Sequence, residues 1–321
     1  MPSSSPTRRH LVIGEAVADI VHPLSGPAST HPGGSPANVA FGLARLGAEV
    51  TLLTQLGDDH HGRLIREHLA GAGVEVHAVP GPGSTGTATA SAVAHLDRTG
   101  AATYTFDITW TLPPVDPAWT PLHVHTGSIA ALLEPGASSV RALVDELRDR
   151  SSISFDPNIR PALVPDHDEA TALVEEMVDR SDVVKASDED LAYLYPGGDP
   201  VQIACDWVRR GPAVVVVTLG GQGSWCATRL GVERIAPTVV TVADTVGAGD
   251  AFMSALIDGL GRSRLLGAEG RAGLSADRDH AVHLAARRAS RAAAITVSRA
   301  GAAPPTLEEL DEPPEGTGQI L

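Results

Sequence analysis

Six short runs punctuate the chain: Leu11-Val12-Ile13, Val50-Thr51-Leu52-Leu53, His123-Val124-His125, Ile153-Ser154-Phe155, Asp182-Val183-Val184 and Val214-Val215-Val216-Val217-Thr218. Several are apolar on both faces, and a strand of that kind must be covered from two sides by packed helices. Helical patterns fall between the runs. The arrangement predicts an α/β fold, a doubly wound, mainly parallel sheet with helices on both faces. Two further segments, Thr87 to His95 and Ala101 to Phe106, alternate small or polar with apolar residues across an Asp97-Arg98-Thr99-Gly100 turn and read as a hairpin. With Ala16 to Val21 they form either a small β-sheet lid, drawn from about 16–32 and 86–110, or a hairpin at the edge of the main sheet. No linker or repeat divides the 321 residues, so one domain is expected over 1–321, with poorly ordered tails at about 1–8 and 306–321.

Charge narrows the partners. Lys and Arg total 24 against 39 Asp and Glu, a formal net charge of −15, which opposes a broad grip on nucleic acid or anionic membrane and favours a small molecule. No stretch of about 18 apolar residues occurs and the start lacks a signal-peptide core, so a cytoplasmic protein is expected. Cys205 and Cys226 match neither a metal spacing nor a disulfide framework. Lys185 is the only lysine, and its setting in Val184-Lys185-Ala186 eliminates a Gly-Lys-Ser/Thr phosphate loop.

Two segments carry chemistry. Gly33-Gly34-Ser35-Pro36-Ala37-Asn38-Val39-Ala40 opens a helix, with Ser35 as cap, Pro36 at the first position, Val39, Leu43 and Leu46 on one face and Gly47 closing it. Its glycines let a ligand approach the backbone, and Asn38 can offer an amide to a hydroxyl. Asp244-Thr245-Val246-Gly247-Ala248-Gly249-Asp250-Ala251-Phe252 follows the apolar run Val239 to Val242, read as a strand, and precedes a helical pattern in Phe252, Leu256 and Leu260. A glycine turn here delivers a helix N-terminus whose N–H groups at Gly247, Ala248, Gly249 and Asp250 can surround an anion. Asp250, in the first turn, can take a proton from a hydroxyl while those amides stabilise a transferring phosphoryl group.

On these two motifs the chain resembles the PfkB, or ribokinase-like, carbohydrate kinases, over about residues 10 to 305. The resemblance is nearest to fructokinase-like members and implies a ribokinase-like fold with a β-sheet lid, ATP as donor and Asp250 as catalytic base. It also implies that Asp19, Gly33, Gly34, Asn38 and Glu134 orient the sugar. Thr218-Leu219-Gly220-Gly221-Gln222-Gly223 resembles the family's nucleotide turn, so Thr218, Gly220 and Gly223 fall to ATP, with Lys185, Ser187 and Ser290. Asp156-Pro157-Asn158-Ile159-Arg160-Pro161 resembles the DxNxR segment of fructokinase-like and 2-keto-3-deoxygluconate-kinase-like members. There Arg160 either holds a phosphate or substrate oxygen, or satisfies a nearby carboxylate. In the family's NxxE segment this chain has Ser187-Asp188-Glu189-Asp190, which leaves Asp190 to act on Mg²⁺ through water. Lys185 is either phosphate-facing or ion-paired, or it lies on a solvated strand end. Thr296 to Ala302 resembles the segment that, with Asp244 and Val246, rings a monovalent cation such as K⁺, through Thr296 and Gly301. Pro305 stands where ribokinases often place serine.

The resemblance favours phosphorylation of a sugar hydroxymethyl group, with fructose converted to fructose 6-phosphate. A 2-keto-3-deoxygluconate kinase and a ribokinase or nucleoside kinase are the enzyme alternatives. A sugar or nucleotide sensor is the alternative from another class. A homodimer through the lid is also expected. His123 and His125 alternate on a strand without further ligands at metal spacing and read as core residues. Trp110 and Trp119 read as packing, although Phe106 or Trp110 could close over the sugar.

Overall fold

The computed structural model describes residues 9–23, 25–79, 88–96, 102–113, 115, 119–164, 166–276 and 280–312. Its main sheet contains β1 (His10–Ile13), β4 (Val50–Gln55), β5 (Glu75–Val79), β8 (His123–Gly127), β9 (Ser152–Asp156), β10 (Val183–Ser187), β11 (Val214–Thr218), β12 (Ser224–Thr228) and β13 (Gly231–Ile235). Their order is β13-β12-β11-β10-β9-β8-β1-β4-β5. From β5 to β11 every pairing is parallel, and only β12 and β13 run antiparallel. All six expected runs lie in this sheet.

Two apolar layers cover it, as strands buried on both faces require. On one side Val12, Leu52, Val214 and Val216 pack with α1 (Ser35–Arg45), α2 (His60–Gly71), α8 (Ala248–Arg262), α9 (Gly267–Ala276) and α10 (Ala281–Val297). On the other, Leu11, Ile13, Ile153, Phe155 and Val215 pack with α3 (Ile129–Leu132), α4 (Gly136–Leu147), α5 (His167–Arg180), α6 (Asp188–Leu194) and α7 (Pro200–Arg210). A second, four-stranded sheet has the order β3-β2-β6-β7, from β2 (Val17–His22), β3 (Ser29–Gly33), β6 (Ser91–Leu96) and β7 (Ala102–Asp107). It is a separate sheet and not an edge hairpin. The expected turn at 97–100 lies outside the described residues.

The order reverses at β1, which has β4 on one side and β8 on the other. Ligands of open α/β sheets bind outside the carboxyl ends of the strands at such a switch point. Here those ends deliver Glu15 after β1, Ser128 after β8, Asn158 and Arg160 after β9, Ser187 at the end of β10 and Gly220 after β11.

Three local expectations need correction. Ser35 does not cap α1: Gly34 is the N-cap, at φ 98, and Ser35 begins the helix. Val239 to Val242 forms no strand, and Val239 and Val242 are 91% and 60% exposed. Without neighbours to pair with, apolar content alone does not make a strand. The segment from 306 does not fray at once. Thr306 and Glu309 form a capping box that starts α11 (Leu307–Asp311), whose Leu310 is buried, while Arg299 pairs with Glu309 at 2.7 Å. Residues 1–8 and 313–321 lie outside the described residues. Cys205 and Cys226 are in no disulfide, and among the described residues no helix is long and apolar enough to cross a membrane.

Candidate active site

Asp250 is the meeting point of two helix starts. It sits at the third position of α8, after Gly247, whose φ of 75 turns the chain into the helix. The Ser35 hydroxyl donates to its Oδ1 at 2.7 Å and the Asn38 amide to its Oδ2 at 2.8 Å. Sequence reasoning assigned Ser35 to capping and so missed this contact, which joins residues 215 apart. In the first turn of α8 the Gly249 and Asp250 amides have no intrahelical acceptor, whereas Ala248 N–H turns back to the Thr245 carbonyl at 3.3 Å.

Asp19 lies on the lid beside the glycine pair. A Cβ on Gly33 would fall 2.0 Å from its carboxylate, and one on Gly34 would fall 2.6 Å from the Glu15 carbonyl, so only glycines leave room here. Burial pushes the Asp19 carboxyl up to about 6, opposed by His31 and Arg160 and assisted by Asp250. Glu15, which no motif singled out, is a second buried acid. Burial pushes it up to about 7, against its backbone, Ser128 and Ala130 hydrogen bonds and the charge of Arg160, and it accepts from Ala130 N–H at 3.1 Å. Glu134 is placed differently: it accepts from Arg141 at 2.6 Å and from the Ser138 N–H at 3.0 Å in the first turn of α4. No contact ties it to Asp19 or Asp250. Trp110 is buried, donates to the Ala130 carbonyl and packs on Gly136, which makes it a packing residue.

Lys185 is buried at 4% exposure and donates to Asp156, at 0% exposure, over 2.9 Å. It is not a solvated strand end. A Cβ on Gly249 would lie 2.9 Å from its Nζ, so the ammonium stands against the first turn of α8. Burial pulls its pKa down, but Asp156 and Asp190 outweigh that and hold it above the usual value. Asp156 is pushed up to about 6 by burial, with Lys185 opposing, and its Oδ1 has no hydrogen-bond partner. Asp190 spends both oxygens on structure: Oδ1 accepts from Ile159 N–H, and Oδ2 from the Ser187 N–H and hydroxyl. Ser187 is the N-cap of α6, donating its hydroxyl to Asp190 and accepting from the Asp190 N–H. Arg160 donates to the Asn158 side chain at 2.8 Å, while its charge acts on both Glu15 and Asp19.

Thr218 ends β11 and is followed by a tight turn at Gly220–Gln222, with Gly220 and Gly223 at φ 52 and 90. The Ser290 hydroxyl on α10 donates to the Ala236 carbonyl at 3.5 Å, and the segment that follows Ala236 carries the exposed Val239, Val242 and Val246. Asp244 ties that segment to the loop after α10, accepting from Val246 N–H at 3.0 Å and Gly301 N–H at 2.8 Å, and these donors hold it below the usual carboxylate range. The Asp244 N–H reaches the Val297 carbonyl, and the Thr296 hydroxyl folds back onto Ala292. His123 and His125 are core residues, joined through the Ser154 hydroxyl at 2.7 and 2.9 Å. Among the described residues no group of three or more His, Cys, Asp or Glu side chains converges as a metal cage.

The model of the pfkB family carbohydrate kinases matches residues 9–309, and the chain belongs to that family. It is 35% identical to a fructokinase of Klebsiella pneumoniae over 257 residues, 78% of this chain and 83% of that protein. Its structure superposes on a fructokinase with bound ATP from Xylella fastidiosa with a TM-score of 0.81 and 26% identity, over 94% of this chain and 97% of the other. A double-mutant fructokinase of Vibrio cholerae, bound to fructose, ADP and potassium ion, gives a TM-score of 0.74 and 26% identity over 96% of each chain.

Proposed function

We propose that this carbohydrate kinase transfers the ATP γ-phosphoryl group to the hydroxymethyl group of fructose, giving fructose 6-phosphate. The observation that carries the reading is the carboxylate of Asp250, held by Ser35 and Asn38 at the start of α8, across from Asp19. A sugar hydroxyl donating to Asp250 would lose its proton there as its oxygen attacks phosphorus. The free first-turn N–H groups of Gly249 and Asp250, with the Lys185 ammonium against them, would stabilise charge on the transferring group, while the Ala248 N–H is already engaged by the Thr245 carbonyl and Gly247 serves as the N-cap that turns the chain into the helix. Arg160, whose charge reaches Glu15 and Asp19, would contribute a further cation from the loop after β9. Asp19, Gly33, Gly34 and Asn38 orient the sugar, and the Glu134 contact with Arg141 argues for Glu15 as the second acid on this side.

ATP would lie along Thr218, Gly220 and Gly223, with its base against Val239, Val242 and Val246 and beside Ser290. The donor set fits a Mg²⁺ carried by phosphate oxygens and water, with Asp190 at most an outer partner, since both its oxygens already accept from Ile159 and Ser187. Bound with ATP, that ion would neutralise phosphate charge. Asp244, Val246, Thr296 and Gly301 form the candidate K⁺ surround, and a homodimer would use the lid, whose edge strands are β3 and β7.

Fructose kinase relatives support the acceptor. A second reading, an acidic sugar such as 2-keto-3-deoxygluconate, draws on Arg160, whose charge reaches the sugar-side acids Glu15 and Asp19. The test is ADP release from Mg-ATP across fructose, ribose, 2-keto-3-deoxygluconate, mannose, adenosine and inosine. A kcat/KM for fructose about ten times any other, some 1.4 kcal/mol of transition-state discrimination, is expected. Preference for another acceptor by that margin overturns the fructose assignment. Arg160→Lys separates the two readings: with fructose it lowers kcat, whereas with a keto acid it raises KM.

A further inference from the structure

We propose that His31 is a sugar-positioning residue, set beside Asp19 in a row of side chains that crosses the lid on the face turned to Asp250. The inference rests on the sugar-kinase reading above. The row follows from strand register. His31 on β3 is the partner of Asp19 on β2, Asp19 is the partner of Ala92 on β6, and Ala92 is the partner of Phe106 on β7. Register partners project to the same face of a sheet, so the four side chains stand in one line. The Asp19 carboxylate lies over Gly33, where a Cβ would fall 2.0 Å from its Oδ2, and Gly33 leads directly into Ser35 and Asn38, which hold Asp250; this is the face turned to the main body, and the charges of Arg160 and Asp250 act on Asp19 there.

The chemistry along the row changes from end to end. His31 is exposed and polar, Asp19 is a half-buried acid, Ala92 carries only a methyl group and Phe106 is a half-buried ring. A sugar has the same two-sided character, hydroxyls on its edges and C–H groups on its faces. The Ala92 position makes a slot, Phe106 an apolar wall for the C–H face, and Asp19 with His31 an acceptor and donor pair for adjacent hydroxyls. No glycine turn or helix start draws attention to His31 in the sequence. Only the pairing of β2 with β3 sets it opposite the substrate acid.

The experiment measures D-fructose binding to the full chain by titration calorimetry, alongside steady-state kinetics. Loss of one positioned hydrogen-bonding side chain predicts that His31→Ala raises the fructose Kd and KM about fivefold to tenfold, while kcat and the KM for ATP move less than about twofold. His31→Gln, which keeps an N–H donor, recovers most of the loss. A double-mutant cycle with Asp19→Asn gives a non-additive term. Ala92→Leu, which fills the slot, weakens fructose binding at an unchanged Tm. A His31→Ala Kd within about twofold of wild type, an equal rise in the KM for ATP, or additive effects with Asp19→Asn overturns the proposal. D-ribose and 2-keto-3-deoxygluconate are run in parallel. A wild-type preference for one of them refutes the fructose assignment and transfers the His31 comparison to that sugar.

Discussion

Lys185→Met keeps the length of the side chain but removes its charge, leaving Asp156 at zero exposure without the ammonium now 2.9 Å away. Asp156 Oδ1 already lacks a partner, so no other donor compensates. Breaking a buried ion pair from one side costs about 3–5 kcal/mol. At roughly 2–3 °C per kcal/mol for a chain of this size, Tm at pH 8 falls by roughly 6–15 °C. The deficit must shrink in acid. Burial already pushes the Asp156 carboxyl up to about 6, with Asp190 and Asp250 adding to it, and losing Lys185 raises it further. A carboxyl with a folded pKa above its unfolded value takes up its proton first in the native state, so its destabilising charge disappears as pH falls through the folded pKa. Thermal unfolding of wild type, Lys185→Met and Lys185→Met/Asp156→Asn, at pH 5, 6, 7 and 8, reads this directly. The single variant should recover more than half its deficit by pH 5, and the double variant should recover most of it at pH 8. A pH-independent deficit, or a double variant no more stable than the single one, would refute the electrostatic reasoning.

Asp250→Asn keeps the helix start and removes the proton acceptor. It should lower kcat by about 10²–10⁴-fold with fructose binding by calorimetry retained, and near-wild-type turnover would exclude Asp250 as base. Ser154→Ala strips partners from ring nitrogens of both His123 and His125, at 2.7 and 2.9 Å in the native core. Each orphaned buried group costs about 1–3 kcal/mol, so denaturant unfolding should show a loss of about 2–6 kcal/mol; a loss below about 1 kcal/mol would mean that the histidines find other partners. Replacing K⁺ with a bulky organic cation at constant ionic strength should lower activity if the loop held by Asp244 and Gly301 surrounds an ion. Equal rates would mark a cation-independent enzyme, consistent with Pro305 in place of serine.

Much of the architecture is legible because it rests on local patterning. Val214–Thr218 becomes β11 as read, Gly47 closes α1 with φ 84, and Gly247 starts α8 with Asp250 in its first turn. These depend on residues within a turn or two of one another. The failures have a common origin. Val239 to Val242 looks like a strand but gains no sheet neighbour, and Ser35 looks like a cap but lies within reach of a carboxylate 215 residues away. The end helix α11 is hidden in the sequence although its Thr306 and Glu309 spell a capping box, because the Pro-rich, charged flank outweighs that signal.

By itself the sequence determined the class of fold and the two segments that approach the reacting groups, since strand burial, glycine turns and helix starts are local properties of residue type and spacing. Tertiary structure alone decided which side chains those segments meet. Lys185, the single lysine, could be solvated or buried until β9 and β10 placed it against Asp156 and Gly249. Likewise the resemblance marks Glu134 as the second substrate-side acid, and no local pattern marks Glu15. Closure around β1 and β8 buries Glu15 against Ser128 and Ala130, while Glu134 remains at the surface beside Arg141. The physical reason is that burial and charge pairing, which decide whether a carboxylate stores a proton or merely meets solvent, depend on through-space neighbours that no local pattern encodes.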